Sequence, residues 1–216
     1  MKLSPADNAR ILKIGPDFPS GVFQKAVDIL NSGGVVAFPT ESFYGLAVNI
    51  MDPAAIQRLF AVKGRSPDQP ILLLLASLSD LEHYAAQVPP SARPLIRRFW
   101  PGGLTLIFNA TREVSPLLTA GTGKIGLRLS SHPLATGLAQ AFGKPITGTS
   151  ANLSGMPALS SAQAVLDSLG NQVDLVLDGG QTMGGLGSTI LDMTVDPPRI
   201  LREGLITGRE IEDAIF

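Results

Sequence analysis

Apolar and polar positions along the chain alternate between helical and strand-like periods. Residues 20–34 carry apolar side chains at helical spacing, and Gly33 stops this predicted helix. The next segment, GVVAFP, is a continuous apolar run typical of a buried strand, which Pro39 ends. Asp52 and Pro53 are typical of an N-cap and of the first turn of a helix. They predict a helix that continues into Lys-Gly-Arg.

The same two periods continue towards the end of the chain. Helices are predicted for SLSDLEHYA, for PPSARPLIRRF, near residues 133–143 and 160–169, and after a capping box formed by Thr207 and Glu210. The segments interpreted as strands are ILLLLA, LTLIFNA, KIGLRLS, KPITGT, VDLVLD, STILDM and RILRE.

This alternation predicts an α/β fold, with an open twisted sheet and helices on both of its faces. Several strands follow one another without a helix between them, so we expect a mixed sheet rather than an all-parallel one. The length of 216 residues suits one large domain, and we expect a single domain over residues 1–216. In such folds ligands bind in the loops at strand ends.

Composition narrows the chemistry that these loops can carry. The chain has 44% hydrophobic and 16% charged residues and a net charge of −1, which favours a large core and disfavours a strongly basic nucleic-acid binder. It has no cysteine and two histidines, so thiol catalysis and Cys-based or His-rich metal sites are excluded. The N-terminal residues lack the apolar core of a signal peptide, and ILLLLASL is too short to cross a bilayer, so we expect a soluble cytoplasmic protein.

Two polar loops in the first half of the chain are candidates for a site. PTESFYGLAV places the hydroxyls of Thr40 and Ser42 after a buried strand, where they form either an ordinary turn or the mouth of a pocket. Lys63 and Arg65 flank a glycine at a helix end. There they either complement the helix dipole or bind phosphates, arginine through its planar fork and lysine as a point charge.

The segment ITGTSANLSG nearly matches the nucleophile elbow Gly-x-Ser-x-Gly, but Asn152 occupies the position of the second glycine. A serine hydrolase also needs a base, for which His132 is the better candidate, and the pattern marks no acidic third member. The alternative, which we favour, is that Ser150 and Asn152 offer hydroxyl, amide and backbone groups to a ligand.

The later part of the chain adds a glycine-dense loop and two strand arginines. LDGGQTMGGLGSTI lacks the ending of a Walker A loop, and it either forms a plain surface loop or lets the backbone approach a ligand next to Ser188. Arg128 and Arg202 lie on predicted strands and face either solvent or a shared anion-binding groove. Hydroxyls, cations and glycine loops together indicate a polyanionic ligand such as a nucleotide.

The segments FPTESFYGL, KGR, WPGGLT, GLRLSSHP, TSANLSG, DGG…GST and ILREG, in this order, resemble the YrdC-like family of threonylcarbamoyl-AMP synthases. The resemblance extends over about residues 20–205. It implies one α/β domain around a deep, positively lined cavity, without the extra C-terminal domain of larger relatives. It also implies that L-threonine, bicarbonate and ATP with Mg²⁺ give threonylcarbamoyl-AMP and diphosphate, and that the product passes to the tRNA threonylcarbamoyl-transferase complex.

The resemblance implies a role for each candidate side chain, with the Ser-x-Asn pair facing the Lys-x-Arg pair across the cavity. The residues it assigns to catalysis are Lys63, Arg65, Ser150 and Asn152. Those it assigns to ATP binding are the same four with Gln69 and Arg202. Those it assigns to threonine binding are Thr40, Ser42, Arg128 and Ser188.

Three positions depart from the usual family pattern. Gln69 replaces a common asparagine, Leu74 replaces a common histidine near the threonine, and WPGGLT replaces WPGPLT. These departures keep two alternatives open, an altered amino-acid substrate and an RNA-binding or nucleotide-binding regulatory paralogue of the same fold. The second alternative includes contact with double-stranded RNA or tRNA.

Overall fold

A computed structural model describes residues 10–15 and 17–215 of the chain. Residues 1–9, which contribute to the expectation of no signal peptide, lie outside the described residues. Within the described ranges, every helix is too short or too polar to cross a membrane.

The described residues form eleven strands, eight α-helices and three short 3₁₀-helices. The α-helices are Gln24–Asn31 (α1), Pro53–Lys63 (α2), Leu81–Tyr84 (α3), Ala92–Phe99 (α4), Pro116–Thr119 (α5), Pro133–Phe142 (α6), Ala162–Leu169 (α7) and Gly208–Ile215 (α8). The strands are Ile11–Lys13 (β1), Val36–Pro39 (β2), Tyr44–Ala47 (β3), Leu73–Leu74 (β4), Leu104–Asn109 (β5), Lys124–Arg128 (β6), Ile146–Thr147 (β7), Thr149–Ser150 (β8), Leu175–Asp178 (β9), Thr189–Asp192 (β10) and Arg199–Arg202 (β11). The 3₁₀-helices are Ser20–Phe23, Leu78–Asp80 and Gly170–Gln172.

The strands form two mixed sheets. The first sheet has the order β1-β9-β2-β3-β8 and the second has the order β11-β10-β5-β6-β4-β7. Each contains both parallel and antiparallel pairs, for example β2 with β9 and β2 with β3 in the first sheet. The predicted α/β class with mixed pairing is thus confirmed, and the strands are divided between two sheets instead of forming one.

Gly148 explains how the chain passes from one sheet to the other. β7 belongs to the second sheet and β8 to the first, and Gly148 is the single residue between them. A Cβ atom at this position would lie 2.5 Å from Leu72 Cδ1 and 2.8 Å from Leu74 Cγ. The segment predicted as one strand, KPITGT, is therefore two very short strands that join the sheets where only a glycine fits without side-chain movement.

Both faces of β2 are buried. Val36 and Phe38 pack in a smaller apolar cluster with residues of α1 and α6, whereas Ala37 belongs to a larger cluster that includes residues of α2 and α7. Burial on both faces explains why GVVAFP is a continuous apolar run rather than an alternating one. Helices thus cover both faces of the first sheet, as predicted.

Local sequence signals explain several element ends. Asp52 Oδ1 accepts a hydrogen bond from Ala54 N at 2.9 Å, which caps α2, and Gly64 ends that helix in the left-handed conformation. Thr207 Oγ1 and Glu210 form the predicted capping box of α8. ILLLLA pairs as a strand only at Leu73–Leu74.

Candidate active site

A cleft of about 520 Å³ lies between the two sheets. Both sheets and their turns contribute hydroxyl groups, and the second sheet also contributes Arg128, Arg202 and apolar walls. The polar and charged side chains that line the cleft belong to Thr40, Ser42, Tyr44, Arg65, Thr105, Arg128, Thr149, Ser150, Ser188 and Arg202. The cleft therefore contains seven of the ten residues proposed for the site, and Lys63, Gln69 and Asn152 lie outside its lining.

Lys63 is buried behind the wall of the cleft, with 3% of its surface exposed. Its Nζ donates to the carbonyl oxygen of Ser150, to that of Asn152 at 2.9 Å and to Asn152 Oδ1 at 3.3 Å. Burial, with repulsion from Arg65 as the second cause, lowers the pKa of Lys63 to about 8. The expected arrangement is thus corrected for Lys63, because this ammonium contacts the 150–152 turn directly instead of facing it across the cavity.

The Ser150 hydroxyl donates to Asn152 Oδ1, and the Asn152 amide donates to the carbonyl oxygen of Leu153 at 3.0 Å and to that of Met156. Ser150 lines the cleft, while Asn152 is buried beneath it. Asn152 therefore organises the turn, and Ser150 is the member of the pair that a ligand can reach.

His132 does not act as a base for Ser150. Its ring Nδ1 accepts a hydrogen bond from Leu134 N at 3.2 Å and caps α6, and the residue is outside the cleft lining. Burial lowers the pKa of His132, which keeps the ring neutral and able to accept this bond. The arrangement therefore agrees with the sequence argument against a serine hydrolase.

Arg65 reaches the cleft from the loop after α2. Its guanidinium donates to Thr149 Oγ1 at 3.2 Å and to the carbonyl oxygen of Pro70 at 2.7 Å, while its Nε is buried without a hydrogen-bond partner. Burial lowers the pKa of Arg65, which nevertheless stays protonated because an arginine titrates far above neutrality. These bonds fix the Arg65 guanidinium at the cleft wall. Gln69, on the same loop, is exposed.

Arg128 lies at the end of β6 and is almost fully buried, with 5% of its side chain exposed. Its ion-pair partner is Glu41, whose Oε1 lies 3.3 Å from Arg128 Nη1, and its Nε has no hydrogen-bond partner. Burial lowers the pKa of Arg128; Glu41 opposes this shift and Arg202 adds to it. A buried guanidinium that lines a cleft is suited to binding a carboxylate.

Ser188 and Arg202 form a second polar group on the same side of the cleft. Ser188 Oγ accepts from Thr105 Oγ1 at 2.9 Å and from Arg202 Nη2 at 3.2 Å. The Ser188 carbonyl oxygen also accepts from Arg202 Nη2 at 2.7 Å. These bonds hold the Arg202 guanidinium against the Gly-Ser backbone, where burial lowers its pKa.

Thr40 and Ser42 lie in the turn between β2 and β3. Thr40 Oγ1 donates to the carbonyl oxygen of Phe43 at 2.7 Å, and the backbone N of Ser42 donates to Thr40 Oγ1 at 3.3 Å. Both hydroxyls are buried and line the cleft, so the turn interpretation and the pocket interpretation of this segment are both correct.

The sequence did not indicate three polar residues that contact the candidate site residues: Glu41, Thr105 and Thr149. Thr105 and Thr149 carry the hydrogen bonds to Ser188 and Arg65, and Glu41 pairs with Arg128. The available signal was the period of two along a strand, since Thr105 and Ile107 of β5 both line the cleft. A threonine within such a strand is ordinary, so this signal is weak.

The side chains around the cleft do not form a metal site. Over residues 10–15 and 17–215, no group of three or more His, Asp or Glu side chains is placed to hold a metal ion. The described cleft lining has arginines and hydroxyls but no carboxylate, the ligand that hard cations such as Mg²⁺ prefer.

Two mixed sheets that meet at a cleft lined by arginines and hydroxyls define a class of α/β protein suited to small anionic ligands. The family is specified by comparison with known sequences, since the Sua5_yciO_yrdC family model, described as "Telomere recombination", matches residues 28–204. The chain belongs to this family, and the resemblance seen in the ordered sequence segments is confirmed.

Curated relatives and solved structures agree with this membership. Threonylcarbamoyl-AMP synthases of Pyrococcus abyssi and Bacillus subtilis are 38% identical over 190 residues and 40% identical over 192 residues. Each alignment covers 88% of this chain and 56% of the relative, so the chain spans about half the length of these curated relatives.

Two crystal structures have closely similar folds. P. abyssi Sua5 complexed with L-threonine superimposes with a TM-score of 0.92 at 36% identity, over 95% of this chain and 60% of that one. E. coli YciO superimposes with a TM-score of 0.85 at 32% identity, over 94% of this chain and 98% of that one. The fold of this chain is thus shared with a longer and with a similarly sized protein.

Proposed function

We propose that this chain forms threonylcarbamoyl-AMP and diphosphate from L-threonine, bicarbonate and ATP. The observation that carries the proposal is a cleft lined by Arg65, Arg128 and Arg202, together with hydroxyl groups. Each of the three reactants presents negative charge, which suits such a lining. The names of the curated relatives and the L-threonine complex of P. abyssi Sua5 support the choice of reactants.

Threonine binds, in this proposal, through its carboxylate at Arg128. That guanidinium lines the cleft and is buried in its wall, so a ligand carboxylate in the cleft would offset its charge. Thr40, Ser42 and Ser188 supply hydroxyl groups to the same amino acid. All three line the cleft and are themselves buried, so their positions are fixed before the substrate arrives.

Carbamate formation is the first chemical step. The deprotonated amine nitrogen of threonine attacks the carbon of bicarbonate, an N–C bond forms, and water leaves, which yields the N-carboxylate. This intermediate loses CO₂ readily in water, so a recessed cleft protects it. Positioning of the two reactants supplies the rate enhancement, and no enzyme-bound covalent intermediate is needed.

Adenylation is the second step. A carbamate oxygen attacks the α-phosphorus of ATP, and the bond from that phosphorus to the oxygen bridging to the β-phosphate breaks, so diphosphate leaves. Arg65 and Arg202 offset the charge that grows on the phosphate oxygens. Ser150 presents its hydroxyl at the same wall, and the proton that it shares with Asn152 Oδ1 turns towards a phosphate oxygen when the nucleotide binds. Lys63 and Asn152 hold its turn in place, and Gln69 contacts the nucleotide from the exposed loop.

Mg²⁺ enters, in this proposal, only as the magnesium salt of ATP, coordinated by the phosphates. The described cleft lining supplies no carboxylate to it, so the protein's own contribution to charge compensation comes from its arginines. The product is a reactive mixed anhydride, and we propose that it passes in the cytoplasm to the transferase complex that modifies tRNA.

The deciding experiment is diphosphate release from MgATP, measured with and without L-threonine and bicarbonate. We expect release that requires both, and that is much slower with L-serine or L-valine in place of L-threonine. Mass spectrometry of the products should show threonylcarbamoyl-AMP and its breakdown product AMP. ATP hydrolysis that is indifferent to the amino acid would contradict the proposal.

A further inference from the structure

Glu41 links the two sheets behind the cleft. It lies in the β2–β3 turn of the first sheet, between Thr40 and Ser42. Its Oε2 accepts a hydrogen bond from Ser130 Oγ at 2.6 Å, and its Oε1 lies 3.3 Å from Arg128 Nη1 in the second sheet. One carboxylate thus ties the turn that carries two cleft hydroxyls to the strand end that carries the buried arginine.

Glu41 does not itself meet the reactants. It is absent from the described cleft lining, and its Oε1 is a buried atom. The carboxylate therefore cannot act as a general base on the amine of the substrate, because a base must lie within hydrogen-bond reach of the proton it removes. Its contacts are with Arg128 and Ser130, so its influence on a ligand passes through Arg128.

The Arg128 guanidinium depends on this contact for its orientation. The ion pair with Glu41 is the charged contact nearest its Nη1; it attracts the guanidinium without a hydrogen bond, since neither Glu41 Oε1 nor Arg128 Nε has a hydrogen-bond partner. Arg202 is a second cation close enough to disfavour the charge on Arg128. Without Glu41, the guanidinium would lose its anchor and be repelled by Arg202, and it would turn away from its present position.

We propose that Glu41 is a positioning residue, which orients the Arg128 guanidinium for the carboxylate of the amino-acid substrate. This inference rests on the proposed function and assigns Glu41 to the recognition of one substrate. Glu41 governs recognition of the amino acid's carboxylate and leaves recognition of the nucleotide to Arg65 and the 150–152 turn.

The test compares Glu41→Gln with the wild-type chain in the diphosphate-release assay. We expect the KM for L-threonine to rise about tenfold and the KM for ATP to change by less than about twofold, because the ion pair that holds the Arg128 guanidinium in place is lost. The ratio of L-threonine affinity to L-threoninamide affinity should also fall about tenfold, since the amide lacks the carboxylate. A purely structural role would raise both KM values and would leave this ratio unchanged.

A matched control is Glu82→Gln on α3, an exposed carboxylate, which should leave both KM values unchanged. If Glu41→Gln does not fold, Ser130→Ala takes its place, because it keeps the carboxylate and removes only the 2.6 Å bond that holds it. The KM for threonine should then rise about threefold.

Several outcomes would overturn the inference. They are an unchanged or lowered KM for threonine in Glu41→Gln, an equal rise in the KM for ATP, or an unchanged KM in Ser130→Ala where that variant is needed. A wild-type chain without threonine-dependent activity would instead refute the proposed function, and this inference with it, before any variant is measured.

Discussion

The Nζ of Lys63 lies 2.9 Å from the backbone carbonyl oxygen of Asn152. Together with its bonds to the Ser150 carbonyl and the Asn152 side chain, this contact uses all three donors of the ammonium on a single turn. The lysine of the Lys-x-Arg pair and the serine of the Ser-x-Asn pair are therefore parts of one unit. The unit presents Ser150 to the cleft and keeps the lysine behind it.

Lys63→Ala is expected to reduce both activity and stability. The change removes the ammonium from three oxygens; Ser150 O still accepts from Asn152 N and Asn152 Oδ1 still accepts from Ser150 Oγ, but the Asn152 carbonyl oxygen loses its donor, and we expect the free energy of unfolding to fall by about 1–3 kcal/mol. Turnover should fall by roughly 10²-fold or more, because the 150–152 turn at the cleft wall loses its support and the positive charge behind it is removed. Chemical denaturation and diphosphate release measure the two effects.

Lys144→Ala, an exposed lysine after α6, is the matched control for this variant and should change neither quantity. Near-wild-type turnover in Lys63→Ala, with an intact fold, would show that the turn does not need the ammonium.

Arg65→Ala is expected to separate activity from stability. Arg65 makes hydrogen bonds to Thr149 and Pro70 at the edge of the cleft, so its loss should cost less than about 1.5 kcal/mol of unfolding free energy. Turnover should nevertheless fall by roughly 10²-fold or more, since a charge partner of the phosphates is removed. Arg93→Ala on α4 is the control for loss of an exposed arginine, and comparable turnover in the two variants would contradict the role.

Alkaline pH should lower the proposed activity by removing the proton of Lys63. Burial and the nearby Arg65 lower the pKa of Lys63 to about 8, so the ammonium is present below that pH and lost above it. We expect kcat/KM for ATP to decline above about pH 8, because this parameter reports groups of the free enzyme. Arg65→Gln removes the repelling charge and should move the decline to higher pH. Substrate ionisation is common to both proteins, so a decline at the same pH in both would assign it to another group.

Ser150→Ala tests the role of the hydroxyl that reaches the cleft. This hydroxyl donates to Asn152 Oδ1, and His132 is committed to capping α6, so no nucleophile–base pair is assembled. We expect a KM for ATP raised about tenfold, from loss of one hydroxyl contact next to a charged ligand. A fluorophosphonate should leave wild-type Ser150 unlabelled, as judged by intact-protein mass spectrometry, whereas stoichiometric labelling would restore the hydrolase interpretation.

Structural features that depend only on residues close together in the chain could be predicted from the sequence. Asp52 before Pro53, and Thr207 three residues before Glu210, mark the starts of helices because a cap involves only adjacent turns. Arg65, Arg128 and Arg202 could be proposed as anion-binding residues because each lies at an element end or on a strand next to a loop. Their convergence in one cleft agrees with the family resemblance.

Relationships between distant segments could not be predicted. The pairing of Glu41 with Arg128 joins residues of different sheets, and it depends on a meeting of the two sheets that no local pattern encodes. The position of Lys63 behind the turn was also missed. A lysine at a helix end usually lies in solvent, and only the fold of the 150–152 turn around it explains its burial.

Leu72 and Leu74 form a matched pair that tests where the amino acid is recognised. Leu74 occupies the position of the family's usual histidine, but it is buried in the smaller apolar cluster and does not line the cleft, whereas Leu72 does. Leu74→Ala should therefore lower the free energy of unfolding by about 2–5 kcal/mol and leave the KM for threonine within about twofold. Leu72→Ala should cause a smaller loss of unfolding free energy. It should change the preference among threonine, serine and valine, because it reshapes the cleft wall. A KM for threonine that responds to position 74 and not to position 72 would mean that the buried leucine contacts the substrate.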